Sequence, residues 1–394
     1  MTRAAEPESA RELLTLCLPT GQPARASTLA APADATTPDW DALIRLAIEQ
    51  GVAPLLAVRT RHLRLPVAAR ERLESIYSSN SIRNLRLAAE ESRICAALGA
   101  AGLRHWPLKG PGLSERLYGD IGVRQVADLD VLVEPEGLAR ADALLAGLGY
   151  ARQTTGPIEN LRRAQELIYV RDCSFPTSPG TRQRPLATAF YLDLHQRLLP
   201  YVRRDPLAAS VIASGMTREN LLLYLCANQI THRFARLRYL CDVAAFVTRE
   251  GDRVEWDLFL TLARRMPWGP GIGFALDWAG QYAPDAVPAH VLHALRPNPL
   301  GDLLLRRSLG AGAADAASRT RLLDGPGGAS VSLGAAYLGR PAAARIAWQM
   351  MFPSRAYLRE QTGAAEGQPL AGAYAARLLR KIPGALRQFL RPAR

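Results

Sequence analysis

Two aspartates set two apart, Asp128 and Asp130, stand at the head of an apolar run that continues through Val131, Leu132 and Val133. Residues i and i+2 of a strand share a face, so both carboxylates are expected to project together from a strand whose continuation is buried. Carboxylates in that arrangement can hold divalent cations. Mg2+ takes one or two carboxylates together with substrate phosphates, and a pair of such ions can clamp the attacking and leaving oxygens of an in-line phosphoryl displacement. The expected cofactor is therefore Mg2+ or Mn2+.

Upstream, Lys109-Gly110-Pro111-Gly112 reads as a tight turn opening a short helix over Leu113–Tyr118. Backbone N–H groups at a helix N-terminus suit phosphate, which makes Gly110, Gly112 and Ser114 candidate phosphate contacts. Lys109 would add a point charge. It is one of two lysines in a chain whose other basic residues are arginines, the second being Lys381, which suggests that the ammonium itself is needed. A third acid, Asp193, lies in the alternating run Phe190-Tyr-Leu-Asp-Leu-His195, so that Tyr191, Asp193 and His195 share one face. An aspartate on an apolar strand is costly unless it is paired or liganding; an ion pair to one of the many arginines is the structural alternative. His195 is a candidate substrate contact, with plain packing as the alternative.

These residues need a scaffold. Strands are expected over Arg104–Leu108, Leu129–Val133, Leu167–Val170 and Ala189–Leu194, with a helix from Glu134-Pro135 to about Gly147 and a loop over Pro176–Pro185. That is an α+β unit, a small mixed-sheet core. Helices are expected on both sides of it. Before it, Thr37-Pro38-Asp39 opens one helix with a capping hydroxyl, a first-turn proline and an acid. A long helix spans 67–100, with Leu73, Ile76, Tyr77, Ile82, Leu85 and Leu87 as its apolar stripe. After the core come helices over 217–232, 236–249, 254–265, 270–282, 335–350 and 370–390. The resulting division is an N-terminal segment and linker (1–38), N-terminal helices (39–102), the core (103–205), a helical domain (206–306), a Gly/Ala/Ser-rich connection (307–330) and C-terminal helices with a basic tail (331–394).

Composition narrows the partners. The formal charge is +13, but no acid follows Glu366, whereas Arg377, Arg380, Lys381, Arg387, Arg391 and Arg394 do. A solvated basic tail accounts for that, and the rest of the chain carries no RNA-binding signature, so nucleic acid is not an expected partner. The longest apolar stretch, Leu221–Val247, is broken by Asn228, His232, Arg233, Arg236, Arg238 and Asp242, so no membrane span is expected. Met1–Arg11 has no apolar region of a secretory signal. Five scattered cysteines without a CxxC pair argue against a disulfide framework or a zinc site and fit a reducing cytoplasm. His290 and His293, three apart, have no third ligand nearby.

A Gly turn opening a small helix, Asp-x-Asp on a strand and a third acid on a later strand resemble the layout of the DNA polymerase beta nucleotidyltransferase superfamily. More narrowly, the chain is similar to a bacterial family of uncharacterised nucleotidyltransferases. The resemblance rests on Leu108-Lys109-Gly110, Tyr118, Arg124, Asp128-Leu-Asp130-Val-Leu-Val and Asp193-Leu194-His195. It extends to Leu221–His232, Leu237-Arg238-Tyr-Leu-Cys-Asp242 and Met351-Phe352-Pro353-Ser354, from about residue 40 to 390. Two positions depart from the pattern: Pro111 follows Gly110 and removes one N–H donor, and Asn228 stands where a family histidine is expected. The resemblance implies transfer of a nucleotidyl group from an NTP to an acceptor (a small molecule, peptide or protein), in a natural-product or polysaccharide setting. Asp128, Asp130 and Asp193 would hold metal, with Asp193 alternatively the base, and Lys109 and Arg124 would contact the triphosphate. The alternatives are a non-catalytic nucleotide- or partner-binding member of the same fold, and a basic adaptor for polyanions or membrane surfaces.

Overall fold

A computed structural model of the chain describes residues 13, 15–19, 39–154, 166–172, 189–199, 205–232, 234, 236–266, 268–296, 299, 369–372 and 374–375. The expected 19–38 linker apart from Pro19, the Pro176–Pro185 loop, the 307–330 connection, the helix over 335–350, the Met351–Ser354 element and the basic residues from Arg377 onward lie outside the described residues. So does most of the expected 370–390 helix.

In chain order the described elements are α1 (Trp40–Gln50), α2 (Ala53–Arg59), α3 (Val67–Ala100), β1 (His105–Lys109), α4 (Pro111–Tyr118), β2 (Leu129–Val133) and α5 (Leu138–Gly147). There follow β3 (Ala151–Arg152), β4 (Glu166–Asp172), β5 (Ala189–His195), α6 (Pro206–Ser214), α7 (Arg218–Thr231), α8 (Leu237–Glu250), α9 (Trp256–Arg265), α10 (Gly269–Gly280) and α11 (Ala289–Ala294). They fall into two compact units. One comprises residues 51–200 and 204–221, the other residues 1–50, 201–203 and 222–394.

The first unit contains the α+β sheet together with α2, α3 and α6. Its five strands lie in the order β1-β2-β5-β4-β3, with β2 and β5 parallel and the other neighbours antiparallel. Alternation builds one apolar face from Leu129, Val131 and Val133 of β2, Leu192 and Leu194 of β5, and Leu167 and Tyr169 of β4. Leu87, Ile94 and Leu98 of α3 and Leu138, Ala141 and Leu145 of α5 cover it. Helix α3 stops in a Schellman arrangement: Gly102 adopts φ +66°, its N–H donates to Gly99 O at 2.9 Å, and Leu103 N–H donates to Leu98 O at 2.9 Å.

The buried face of α3 differs from the expected stripe. Ile82 and Leu85 are exposed, while Asn80, Asn84 and Glu90 are buried beside Leu73, Leu87, Ile94 and Leu98. Residues 73, 80, 84, 87, 94 and 98 keep a helical stripe in register, and polar side chains occupy it where backbone polar groups of a neighbouring loop need partners. The helix-opening cap also differs. Asp39 caps α1: its Oδ1 accepts the Ala42 N–H at 3.0 Å and its carbonyl accepts the Leu43 N–H at 2.9 Å. The carboxylate at that position satisfies a first-turn donor.

Three elements were not anticipated. The short α2, apolar but for Arg59, has no periodicity to read, β3 is two residues long, and α6 is announced only by Asp205. That carboxylate accepts the Leu207 and Ala208 N–H groups through Oδ1 and the Leu198 and Leu199 N–H groups through Oδ2. One side chain thus caps α6 and ties it to the chain leaving β5.

The second unit is helical, as the periodicity after residue 217 indicates. Phe234, Phe274 and Trp278 pack with ring centroids 5.0–5.6 Å apart. Trp268 and Trp278 are fully buried anchors, His232 stacks on Tyr239, and Gln50 Oε1 accepts the Leu237 N–H at 2.9 Å. Among the described residues no helix is long and apolar enough to cross a membrane. No disulfide joins the described cysteines Cys17, Cys95, Cys226 and Cys241.

Candidate metal-dependent active site

Strand alternation that buries Leu129 and Val131 turns Asp130 to the opposite face of the sheet. The same rule turns Asp193 and His195 of β5 and Glu166 of β4 to that face. Register then brings them side by side: Asp130 pairs with Asp193 across the parallel β2–β5 ladder, and Glu166 pairs with His195 across β4–β5. Ligand atoms of Asp130, Asp193 and His195 all lie within 4.8 Å of one another.

Lys109 reaches the group through a bulge. The β1–β2 pairing runs from His105–Val133 to Pro107–Val131 and then shifts, so that Lys109, not Leu108, lies opposite Asp130. Lys109 Nζ is 3.2 Å and His195 Nε2 2.9 Å from Asp130 Oδ1. Burial opposes ionisation of Asp130, which is 1% exposed, but the Lys109 and His195 charges outweigh it and hold the carboxyl below its ordinary range. His195 is pushed the other way. Burial disfavours its cation, yet the Asp130 hydrogen bond and the Asp130 and Glu166 charges raise its pKa. Its Nδ1 lies 3.4 Å from Glu166 Oε2.

Asp193 shows what the site lacks. Burial, and then the negative charges of Asp130, Glu166 and Asp128, push its carboxyl up to about 7. Four carboxylates thus converge around one imidazole and one ammonium. Asp130 Oδ2 is moreover a buried oxygen with no hydrogen-bond partner. Hard oxygen donors, an excess of negative charge and an unsatisfied carboxylate oxygen suit a divalent cation. The ligand atoms that lie closest together are those of Asp130, Asp193 and His195. Asp128 sits in the bend just before β2 and lies outside that tightest trio, although its charge reaches Asp193.

The turn and the loop that flank the cluster are held from α3. Gly110 adopts φ +143°, and a Cβ there would meet Glu91 Oε1 at 2.7 Å. Glu91 is therefore a further acid beside the turn. Burial and the Asp130 charge push its carboxyl up to about 7, and Oε1 is buried without a partner. Pro111 takes the first position of α4, where a missing N–H costs no helical bond, and Gly112 is exposed in that first turn. The loop ahead of Asp128 hangs on two asparagines. Asn80 Nδ2 donates to Gly122 O and Arg124 O at 2.7 and 3.1 Å, and Asn84 Nδ2 donates to Ile121 O and Arg124 O at 2.6 and 2.8 Å. Tyr77 OH donates to Asp120 Oδ2 at 2.7 Å, and Arg83 donates to Ala127 O at 3.0 Å.

Ser114 belongs to this fastening. It is fully buried; its Oγ donates to Asp120 O at 2.7 Å and accepts the Arg124 N–H at 2.9 Å. The hydroxyl expected at a phosphate is occupied within the loop. Arg124, within the loop that precedes Asp128, is 6% exposed. Sequence reasoning missed Glu91, Glu166, Asn80 and Asn84. Glu166 heads an alternating strand and could have been found by pairing that strand with β5; Glu91 and the asparagines leave no local signal in a long helix.

A small mixed sheet thus carries clustered acids on one face, beside a Gly turn opening a helix, in an arrangement that could hold a divalent ion. The sequence model of a family described as uncharacterised nucleotidyltransferase matches residues 36–284, well over half of the 394-residue chain. The chain belongs to that family. The match contains every residue of the cluster but ends before the Met351–Ser354 element. No curated protein and no solved structure matches the chain.

Proposed function

We propose that the chain transfers a nucleotidyl group from an NTP to an acceptor oxygen, with release of pyrophosphate. One observation carries this reading: Asp130 and Asp193 stand in register on adjacent parallel strands, with ligand atoms of both and of His195 within 4.8 Å. In the reaction the acceptor oxygen bonds to the α-phosphorus, the bond to the α–β bridging oxygen breaks, and its electron pair leaves with pyrophosphate. A divalent ion, Mg2+ or Mn2+, neutralises charge on the phosphate oxygens when bound. Asp128, Asp130 and Asp193 hold it. Asp193 alternatively takes the acceptor proton, a role that a carboxyl pushed up to about 7 supports. Lys109, with Gly110, Gly112 and Arg124, addresses the triphosphate, and Ser114 holds the loop on which Arg124 sits. No side-chain nucleophile is needed, because positioning and charge neutralisation supply most of the acceleration.

The acceptor is a small molecule, peptide or protein, and the setting a bacterial cytoplasmic biosynthetic pathway. The test incubates the full chain with Mg2+ or Mn2+ and each α-labelled NTP in the presence of a cell extract. Pyrophosphate release is followed, and mass spectrometry searches for a nucleotidyl adduct. Asp130→Asn should abolish both; undiminished release in that variant defeats the reading. Pro111, which removes one N–H from the turn, favours a second reading in which the same site binds NTP without turnover. NTP binding with no adduct and no pyrophosphate under any condition selects it.

A further inference from the structure

We infer that His195 is itself a ligand of the divalent ion, with Glu166 as the residue that orients it, and that the nitrogen donor moves the site's preference from Mg2+ toward Mn2+. This rests on the metal-binding part of the function proposed above and not on turnover.

Three observations carry it. First, His195 Nε2 lies 2.9 Å from Asp130 Oδ1, and two neighbouring ligands of one ion at about 2.1 Å each sit ~3 Å apart. Nitrogen and oxygen are therefore already spaced for shared coordination. Second, the opposite ring nitrogen has a carboxylate as its neighbour: Nδ1, buried and without a hydrogen-bond partner, is 3.4 Å from Glu166 Oε2. A ligating histidine generally directs its other N–H at a carboxylate or carbonyl, which sets tautomer and ring orientation. Here β4–β5 register provides that carboxylate, since Glu166 pairs with His195. Third, Lys109 and His195 both address Asp130 Oδ1, which leaves Oδ2, on a side chain 1% exposed, with no hydrogen-bond partner. A buried carboxylate oxygen without a donor suits a cation.

The donor set has a consequence for the metal. Carboxylate oxygens alone suit Mg2+, Ca2+ and Mn2+, whereas imidazole suits first-row transition ions. Two carboxylates with one imidazole thus favour Mn2+ over Mg2+. Because His195 is 7% exposed by its side chain, it offers little surface to a bulky substrate.

The test needs no turnover. Mn2+ alone is added to the purified full chain, and electron spin echo envelope modulation reads the nuclei at the ion. The expected result is modulation from a directly bound 14N, which changes to the 15N pattern when the protein is grown on [15N]histidine. That isotope comparison requires no substitution and so cannot be confounded by misfolding. His195→Gln should abolish the nitrogen modulation and reduce the Mn2+-over-Mg2+ preference by about tenfold or more. Glu166→Ala should weaken Mn2+ binding about 10–100-fold, and Glu166→Gln, whose amide oxygen can accept the Nδ1–H once the ion fixes the ring, should recover most of that loss. Bound Mn2+ without nitrogen modulation, modulation unchanged in His195→Gln, or no Mn2+ binding overturns the inference. Nitrogen modulation in a chain that never releases pyrophosphate upholds it while defeating nucleotidyl transfer. Turnover without nitrogen modulation does the reverse.

Discussion

Asn80 and Asn84 share one acceptor, and that sharing predicts a specific failure of additivity. Asn80 Nδ2 and Asn84 Nδ2 both donate to Arg124 O, and each also holds one further carbonyl, Gly122 O or Ile121 O. The two amides are 8% and 0% exposed, so water does not readily replace them. Replacing either with Ala leaves its private carbonyl unpaired but leaves Arg124 O bonded by the other. A buried carbonyl without a donor costs about 1–3 kcal/mol. Each single variant should therefore lose about that much, with a smaller addition for the truncated side chain. The double variant strands Arg124 O as well. It should lose more than the two singles together, by roughly 1 kcal/mol or more, the range of coupling seen for groups with a common partner. Cavity effects largely cancel in such a cycle. Urea unfolding of the four proteins measures it, with a metal titration alongside, because the loop these amides hold leads into Asp128. Additive losses, or a double variant milder than the sum, would refute the claim that the two amides act on this carbonyl as a common partner.

Gly110→Ala places a Cβ 2.7 Å from Glu91 Oε1 on a residue at φ +143°; a loss of about 1–3 kcal/mol is expected from the backbone alone, together with weaker metal binding, and an unchanged thermal midpoint would contradict this. Ser114→Ala removes one donated and one accepted hydrogen bond, so stability should fall by about 1–2 kcal/mol while the KM for NTP stays within about twofold; a large KM change with unchanged stability would restore a phosphate contact to this hydroxyl. Asp193 and Glu91, pushed up to about 7 in the folded chain, bind more protons folded than unfolded between about pH 4 and 7. Stability without metal should therefore fall as pH rises through that window. His195, raised as well, acts in the same sense near neutrality, its contribution present below about 6.5 and lost above its folded value. Asp130, held low, acts in the opposite sense in acid, where its contribution is lost as pH falls through its folded value. For Asp193 the loss is about 1–2 kcal/mol once the upper limit of ~4 kcal/mol is discounted for solvent access. Thermal midpoints in EDTA at about pH 5.5 and 7.5 test this, and Mn2+ should restore the higher-pH value; equal midpoints in EDTA would contradict it.

Much of the core was legible because it is local. Alternation over Leu129–Val133 and the spacing after residue 217 depend only on near neighbours in sequence, and the observed β2 and helices α7 to α10 agree with the expected spans within about two residues. Where the reading of α3 went astray, at Ile82 and Leu85, residue type had been taken for orientation. The face that turns inward carries Asn80 and Asn84 because the loop ahead of Asp128 presents carbonyls to it, which no window of α3 reveals. Ser114 misled for the same reason: a hydroxyl in a first helical turn suits a phosphate, but its geometry commits it to Asp120 and Arg124.

The sequence by itself determined that acids of β2 and β5 leave the apolar face of their strands, since side chains alternate wherever a strand forms. Tertiary structure alone decided that those strands are parallel neighbours, that a bulge swings Lys109 onto Asp130, and that Glu166 stands behind His195. The reason is physical. Facing within a strand follows from backbone geometry one residue at a time, whereas register between strands follows from packing and hydrogen bonding among segments some sixty residues apart, and only the second places charges within reach of one ion.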